Sequence, residues 1–324
     1  MTIERFNRLH WAVRLTFLTL LAVAFAVYGF PRIAHTGWAV VMKLSGNAPH
    51  CPWSRVFAYY ENLIDFGDQE IMNSSKATLL EYDNSLGIGR VSVPLGNFWE
   101  KRRPEQLVPG AHGGIPYNAA EQEWMFRHNP KQGVKSGDIV LDCGANVGVF
   151  TKFALQRGAS LVVAIEPEPL SLECLRRNLA TEIAAGKVIV VPEGVWSSDG
   201  SFPLRISPDN PAGHSMAIHD VGRVINVPVS RIDTLVQRLG LERVDYIKMD
   251  IEGVEREALS GARDTLAKHR PTLIIESYQR PDDMEVIPDI VSRAYSGYSL
   301  SCGPCQPFNE SSRTIVPHVI YFQR

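Results

Sequence analysis

From residue 137 onward, short apolar runs alternate with longer amphipathic segments in a regular order. Apolar runs rich in β-branched residues predict strands, and apolar positions three or four residues apart predict helices. The predicted order is strand 139–142, helix 148–158, strand 161–165, helix 168–180, strand 187–191, strand 244–249, helix 253–268, strand 272–276, helix 283–294, and two terminal strands, 297–301 and 317–323. This alternation is typical of a parallel sheet covered by helices on both faces, and the terminal strands, with no helix between them, predict an antiparallel edge.

Other segments depart from this order. Residues 197–234 form an excursion in which runs 202–206 and 224–229 predict a β-hairpin over the carboxyl edge of the sheet. Before the alternation, runs 79–82 and 90–93 predict strands of a small accessory region. Segment 101–114, rich in Pro, Gly and charge, is a linker or an active-site loop, and a helix over 118–128 leads into the core.

The N-terminus has a different character. Residues 15–30 carry no charge, and with Arg14 reaching toward head groups the span approaches the ~20 residues that a bilayer requires. We interpret it as a single-pass transmembrane anchor. The alternatives are a cleaved signal peptide, with Ala24 and Ala26 as the small residues of its site, and a buried or interfacial helix. The predicted domains are an anchor (1–32), a juxtamembrane and accessory region (33–115) and a catalytic domain (116–324).

Composition narrows the class of protein. The 324 residues carry a net charge of −2 and 45% hydrophobic residues, which suits one large or two ordinary globular domains and gives no basic field for nucleic acid. The cysteine number, 5, is odd, so we expect no disulfide framework and a reducing compartment. Cys302 and Cys305 enclose Gly-Pro, which we interpret as a turn in a hairpin loop. A redox pair or a zinc half-site is the alternative.

The segment after strand 139–142 carries the strongest functional signal. It reads Asp142-Cys-Gly144-Ala-Asn-Val-Gly148, in which a glycine turn opens a helix whose N-terminal N–H groups point at a ligand. The middle glycine of the dinucleotide fingerprint G-x-G-x-x-G is missing, so a pyrophosphate would lack its close approach. The acid-first spacing resembles the S-adenosylmethionine loop of class I methyltransferases. Asp142 would then face the amino group of the donor, directly or through water.

The next strand ends in Glu166-Pro167, which places a carboxylate at the sheet's carboxyl edge. A carboxylate there accepts both hydrogen bonds of a ribose diol, although an ordinary strand-end acid is the alternative. The full set of cofactor-binding candidates is Asp142, Gly144, Ala145, Asn146, Gly148, Glu166, Pro167 and Glu193.

Strand 244–249 delivers two further carboxylates, Asp250 and Glu252, to the same edge. Methyl transfer requires alignment of the acceptor and removal of its proton, so either residue is a candidate base, as is His214 in the excursion. A structural role at the start of the following helix is the alternative for the two acids. Glu276 and Asp250 together would suit a divalent cation, but the sequence shows no third ligand and we predict no metal.

Several motifs together resemble the FkbM-type methyltransferase family over roughly residues 118–294. They are D-C-G-A-N-V-G-V-F-T (142–151), A-I-E-P-E-P (164–169), Asn178, V-S-R-I-D-T-L (229–235), I-K-M-D-I-E-G-V-E (247–255) and L-S-G (259–261). The resemblance implies a Rossmann-like class I methyltransferase domain, S-adenosylmethionine as donor, and methylation of a hydroxyl oxygen, often on a sugar or natural product.

We therefore predict a membrane-tethered O-methyltransferase acting on a glycan, a lipid-linked sugar or a natural-product acceptor, with no nucleic-acid partner. The alternatives are a non-catalytic nucleoside-binding scaffold and a thiol redox protein using Cys302 and Cys305. Cationic residues before the apolar run slightly outnumber those after it, which favours an exported catalytic domain. Because the donor is made in the cytosol, we nevertheless expect the catalytic domain on the cytosolic side.

Overall fold

The computed structural model describes residues 16, 19, 29–102, 114–128, 130–206, 223–308 and 313–324. The helices in these ranges are α1 Phe30–Leu44, α2 Trp53–Phe57, α3 Tyr59–Lys76, α4 Gly114–His128, α5 Val149–Gln156, α6 Pro169–Asn178, α7 Ala180–Ala184, α8 Ile232–Arg238, α9 Glu255–Ser260, α10 Arg263–His269 and α11 Asp283–Ala294.

The strands fall into a central sheet and smaller sheets. They are β1 Thr78–Asp83, β2 Ile88–Val93, β3 Gly96–Glu100, β4 Ile139–Cys143, β5 Leu161–Ile165, β6 Val188–Val191, β7 Gly194–Val195, β8 Gly200–Ile206, β9 Arg223–Ser230, β10 Tyr246–Met249, β11 Thr272–Glu276, β12 Ser299–Cys302, β13 Cys305–Pro307, β14 Ile315–Pro317 and β15 Val319–Gln323.

The central sheet has 7 strands in the order β12-β15-β11-β10-β4-β5-β6. Strands β11, β10, β4, β5 and β6 are parallel, and β15 is antiparallel between β11 and β12. The predicted mixed α/β fold is confirmed, and its antiparallel strand lies one position in from the edge. After β4 the chain continues to β5 and β6 on one side of the sheet, and after β10 it continues to β11 on the other side. The topological switch point therefore lies between β4 and β10.

Residues alternate between the two faces of each central strand, as a pleated strand requires. Leu141, Ile247 and Ile275 face a core covered by α8 to α11, whereas Val140 and Tyr246 face one covered by α4 and α5. The central strands are apolar on both faces because helices cover both. The predicted sheet was therefore visible in the sequence as uninterrupted apolar runs.

The accessory region is a three-stranded antiparallel sheet, β1-β2-β3, of which the sequence predicted the first two strands. Its core includes Val147 from the loop after β4 and Val149 from the start of α5, so it packs directly on the segment that carries the functional signal. The predicted hairpin of the excursion is also present, because β8 pairs antiparallel with β9. The predicted domain boundaries at 32 and 115 stay predictions.

One predicted helix, 253–268, is two helices, α9 and α10, on either side of Gly261. A Cβ at Gly261 would lie 2.1 Å from the carbonyl oxygen of Trp196, so the chain must turn where this backbone passes. Apolar periodicity continues through the break and did not indicate it.

The expectation of no disulfide is wrong. Cys51 and Cys305 form one, with Cα atoms 6.2 Å apart and a sequence separation of 254 residues. Cys302 remains a free thiol, so it does not pair with Cys305 and the hypothesis of a Cys302–Cys305 redox pair is also wrong. Gly303 and Pro304 join β12 to β13, which pairs with β14 in the connection to β15.

The predicted transmembrane segment, 15–30, lies almost entirely outside the described residues. Within the described part of the chain, no helix combines the length and apolarity that a membrane crossing needs.

Candidate functional site

A cavity of about 350 Å³ opens at the carboxyl ends of the parallel strands, at the switch point between β4 and β10. Its walls come from the segments after β4, β5, β6, β10 and β11, and from one face of α4. In open α/β sheets this is the place where ligands bind.

The segment after β4 forms one wall through Gly144, Ala145 and Asn146. The backbone N–H groups of Gly144 and Ala145 donate to the carbonyl of Ile165, each at 3.0 Å, which ties the turn to β5. Gly144 has φ +78°, and a Cβ there would lie 2.0 Å from the carbonyl oxygen of Asp250. Glycine is therefore required where the two central loops cross.

Gly148 does not line the cavity, and its predicted role in cofactor binding stays a prediction. It is the N-cap of α5 at φ 91°, and a Cβ would lie 2.9 Å from a Leu179 side-chain carbon. Its small size serves the packing of α5 against the residue that ends α6.

Asp142 is not among the residues that line the cavity either, and its predicted role toward the donor amino group, directly or through water, stays a prediction. It is 0% exposed and accepts a hydrogen bond of 2.6 Å from the Thr151 hydroxyl. Its other neighbour is Lys248, which lies opposite it in the sheet register with its Nζ 3.6 Å away. Burial raises the pKa of Asp142, and Lys248 opposes that rise. Asp142 thus stabilises the loop through its contacts with Thr151 and Lys248.

Lys248 is a cavity residue that sequence reasoning missed. Its Nζ donates to the Gly144 carbonyl at 3.0 Å and lies 3.3 Å from Asp250. Burial would lower its pKa, but Asp250 and Asp142 outweigh this and raise it. The ammonium group therefore stays charged and joins β4, the glycine turn and β10. Its place in the quoted I-K-M-D motif was the available signal.

Glu166 and Pro167 line the cavity, at the edge where they were predicted. The Glu166 carboxylate accepts hydrogen bonds from the N–H groups of Asn146, at 2.9 Å, and Glu168, at 2.8 Å. Burial raises the pKa of Glu166 to about 7, although these N–H groups and Lys101 oppose the rise. The carboxyl group is thus fixed in place beside the glycine turn.

Glu193 also lines the cavity, next to β7. It forms an ion pair with Arg238 at 2.7 Å and accepts a hydrogen bond from the Ser230 hydroxyl at 2.5 Å. Its predicted role in cofactor binding stays a prediction.

Asp250 and Glu252 face the cavity from β10, as predicted, and Glu276 joins them from the end of β11. The charge of Asp250 is partly balanced by Lys248. Burial, then repulsion from Asp250, Glu255 and Glu121, raises the pKa of Glu252 to about 8. Burial and the neighbouring acids likewise raise the pKa of Glu276 well above its usual range. This end of the cavity is therefore acidic, and the carboxyl groups of Glu252 and Glu276 retain protons more readily than free ones.

Helix α4 contributes the wall that the sequence did not show, through Tyr117, Asn118, Glu121 and Gln122. The helix itself was predicted over 118–128, but its place across the carboxyl edge follows from tertiary packing. His214, the third predicted catalytic residue, lies outside the described residues.

Comparison with known proteins agrees with this geometry. Residues 142–300 match the model of the methyltransferase FkbM domain. The chain is 27% identical over 184 residues to the 31-O-demethyl-FK506 methyltransferase FkbM of Streptomyces tacrolimicus, covering 45% of this chain and 71% of that protein. It is 25% identical over 175 residues to methyltransferase sdnD of Sordaria araneosa, covering 44% and 68%.

A third relative, the hexuronic acid methyltransferase AglP of Haloferax volcanii, is 30% identical over 131 residues, covering 40% of this chain and 52% of that protein. A solved structure of methyltransferase FkbM from Methylobacillus flagellatus aligns with 83% of this chain and 61% of that chain, with a TM-score of 0.42 and 18% identity. The match over residues 142–300, just under half of the chain, identifies a methyltransferase FkbM domain there, and the curated relatives of this part of the chain are methyltransferases.

Proposed function

We propose that this chain transfers a methyl group from S-adenosylmethionine to a hydroxyl oxygen of a glycan, a lipid-linked sugar or a natural-product acceptor. The observation that carries the proposal is the charge of the cavity. Six carboxyl groups line it, and Lys248 is the single cationic side chain among its described lining residues. An acidic cavity suits a donor with a positive sulfonium and an ammonium group, and it excludes a phosphate-rich cofactor.

The donor end is the part formed by the glycine turn and Glu166. S-adenosylmethionine, when bound, supplies an electrophilic methyl group. Gly144 and Ala145 offer a wall without long side chains, and Glu166, only 7% exposed, presents a carboxylate held by two backbone N–H groups. These residues fit a nucleoside, with Glu166 accepting the ribose hydrogen bonds.

The acceptor end lies between β10, β11 and α4. Glu252 is the best-placed base, because its pKa of about 8 makes its ionised carboxylate a stronger base than an ordinary one, whereas Asp250 is held by Lys248. Transfer should therefore increase as the pH rises toward 8. The acceptor hydroxyl would gain the methyl group as the carbon–sulfur bond of the donor breaks and the sulfur leaves as a neutral thioether, and the hydroxyl proton would pass to Glu252. The names of curated relatives, a hexuronic acid methyltransferase and a 2-O-methyltransferase, support a sugar hydroxyl as the acceptor.

Calorimetric titration with S-adenosylmethionine tests the donor end, and labelled methyl transfer to envelope glycan extracts tests the acceptor end. We expect Glu166→Ala to weaken donor binding, and Glu252→Gln to abolish transfer while leaving donor binding intact. A purified protein that does not bind S-adenosylmethionine would refute the proposal. Donor binding with transfer unaffected by Glu252→Gln would refute the base. Donor binding without transfer to any extract would favour the non-catalytic scaffold.

We further propose that residues 15–30 tether the chain to a membrane. A row of exposed apolar side chains on α1 supports this: Phe30, Ile33, Val41 and Leu44 are 63, 60, 55 and 73% exposed. The row directly continues the charge-free run, while Ala39 and Met42 on the opposite side of α1 are buried. We expect the full chain to pellet with membranes in carbonate buffer and a chain lacking residues 1–28 to pellet less. A full chain that stays in the supernatant would refute the tether.

The Cys51–Cys305 disulfide bears on which side of the membrane the catalytic domain lies. Disulfides persist in oxidising compartments, which opposes the cytosolic placement expected from the donor. Maleimide labelling in intact cells followed by mass spectrometry distinguishes the two placements. Labelled Cys51 and Cys305 would indicate a catalytic domain in the cytosol, and an unlabelled, disulfide-bonded pair would indicate a domain outside it.

A further inference from the structure

Three side chains from distant parts of the sequence meet beneath the acceptor end of the cavity. Glu121 comes from α4, Glu276 ends β11, and His318 joins β14 to β15. The Nε2 atom of His318 lies 3.3 Å from Oε1 of Glu121 and 3.9 Å from Oε1 of Glu276. One nitrogen and two carboxylate oxygens of these residues lie within 4.8 Å of one another. An imidazole nitrogen and carboxylate oxygens are ligand types that divalent cations bind at about 2.0–2.6 Å.

The histidine ring has a defined orientation. Its Nδ1 lies 2.9 Å from Oε1 of Gln306, and an amide oxygen only accepts, so Nδ1 carries a proton and donates to it. The ring stacks on Tyr278, with centroids 5.0 Å apart, and meets the edge of Trp124. A histidine that ligates a metal commonly donates its second N–H in this manner, which fixes the ring and the tautomer.

The remaining ring nitrogen makes no hydrogen bond with any described residue. Nε2 of His318 is buried without a hydrogen bond, in a side chain that is 4% exposed. In the neutral ring this nitrogen is a lone pair directed at two carboxylates, which are themselves acceptors. An unsatisfied buried polar atom is costly, and a cation among the three groups would satisfy all of them.

Among the described residues, the nearby cationic and amide groups are engaged by carboxylates. Lys248 is held by Asp142 and Asp250, and Gln279 bridges Glu252 and Glu276 with its amide nitrogen, at 3.1 and 3.3 Å. Both carboxylates of the cluster line the cavity, so a cation there would keep open positions for water or an acceptor oxygen.

We propose that Glu121, Glu276 and His318 bind a divalent cation at the acceptor end of the cavity. Two carboxylates and one imidazole suit a metal that accepts both oxygen and nitrogen, such as Mn²⁺. Binding of the cation is independent of the proposed function. The role of the bound cation, which would be to hold the acceptor hydroxyl and lower the pKa of that hydroxyl, rests on the proposed function.

The test is Mn²⁺ titration of the purified full chain, followed by calorimetry and electron paramagnetic resonance. We expect one bound Mn²⁺ and nitrogen modulation of its echo signal from the imidazole of His318. His318→Phe keeps the ring packing and Glu276→Gln keeps the shape, and each should weaken binding at least about tenfold. Glu255→Gln is the matched control, since Glu255 is equally buried but does not line the cavity, and it should bind Mn²⁺ like the unmodified chain.

Absence of binding by the unmodified chain to Mn²⁺, Mg²⁺ and Zn²⁺ would overturn the proposal. So would a bound Mn²⁺ without nitrogen modulation, a result that depends on no variant folding correctly. Donor titration in the same samples separates the two proposals. Binding of S-adenosylmethionine without binding of a metal would support the proposed function and refute the cation site.

Discussion

Replacing Gly144 by alanine tests the crossing of the two central loops. At φ +78° an alanine costs about 1–2 kcal/mol relative to its ordinary backbone regions. Its Cβ would also lie 2.0 Å from the Asp250 carbonyl oxygen, so β10 or the turn must move. Overpacking of this kind costs about 1–3 kcal/mol, which gives a total loss of roughly 2–5 kcal/mol in the free energy of unfolding.

Gly186 provides a matched control, because it has φ +69° and a Cβ there would meet nothing within 4 Å. Gly186→Ala should therefore lose only the backbone part, about 1–2 kcal/mol. Urea unfolding followed by circular dichroism gives both free energies. Calorimetry should also show that Gly144→Ala weakens S-adenosylmethionine binding at least about tenfold, with Gly186→Ala unchanged. If Gly144→Ala loses no more stability than Gly186→Ala, the contact with the Asp250 carbonyl is not restrictive and our account of the turn fails.

Further predictions concern charge and covalent structure. Affinity for S-adenosylmethionine should rise as pH increases through about 7, because the Glu166 carboxyl group is protonated below that pH and only the carboxylate accepts both ribose hydrogen bonds. Calorimetry at a series of pH values should show this rise, and Glu166→Gln should flatten it; an unchanged profile in the variant would contradict the assignment. Lys248→Met should destabilise the fold by about 3–5 kcal/mol in urea unfolding, since it leaves the buried Asp142 without its cation. Adding Asp142→Asn should recover most of the loss, and no recovery would show that the pair is not coupled. Cys51→Ser should cost up to about 5 kcal/mol because the disulfide closes a long loop, whereas Cys302→Ser should cost less than about 1 kcal/mol. Unfolding with and without reductant checks this, and equal losses in the two variants would count against it.

Local pattern was sufficient to predict the central sheet. The strand predicted over 161–165 agrees with β5 residue for residue, and helix 283–294 agrees with α11, because each is an apolar pattern bounded by Gly, Pro or charge. The break at Gly261 was missed because it depends on the backbone of Trp196, more than sixty residues earlier in the chain. Steric exclusion between distant segments leaves no trace in hydrophobic periodicity.

In the candidate site, too, local sequence predicted some residues, whereas others depend on contacts between distant segments. Gly144 and Glu166 were predictable because each directly follows a strand, and the carboxyl ends of parallel strands share one edge. Glu121 and His318 were not, because one lies on a helix before the sheet and the other in a tight connection after it. The Cys51–Cys305 pairing was likewise unpredictable, since residues separated by 254 positions meet only through the complete fold. Asp142 was placed correctly at a strand end, but its side-chain direction depended on Lys248 in the neighbouring strand.

The disulfide between Cys51 and Cys305 has a consequence for limited proteolysis. It closes most of the chain into a covalent ring, from the segment after α1 to strand β13. A single peptide bond cut anywhere between residues 51 and 305 therefore leaves both fragments joined, so the N-terminal segment stays attached to the catalytic domain. Cleaved protein should run near its full mass on a denaturing gel without reductant and separate into two bands once reductant is added.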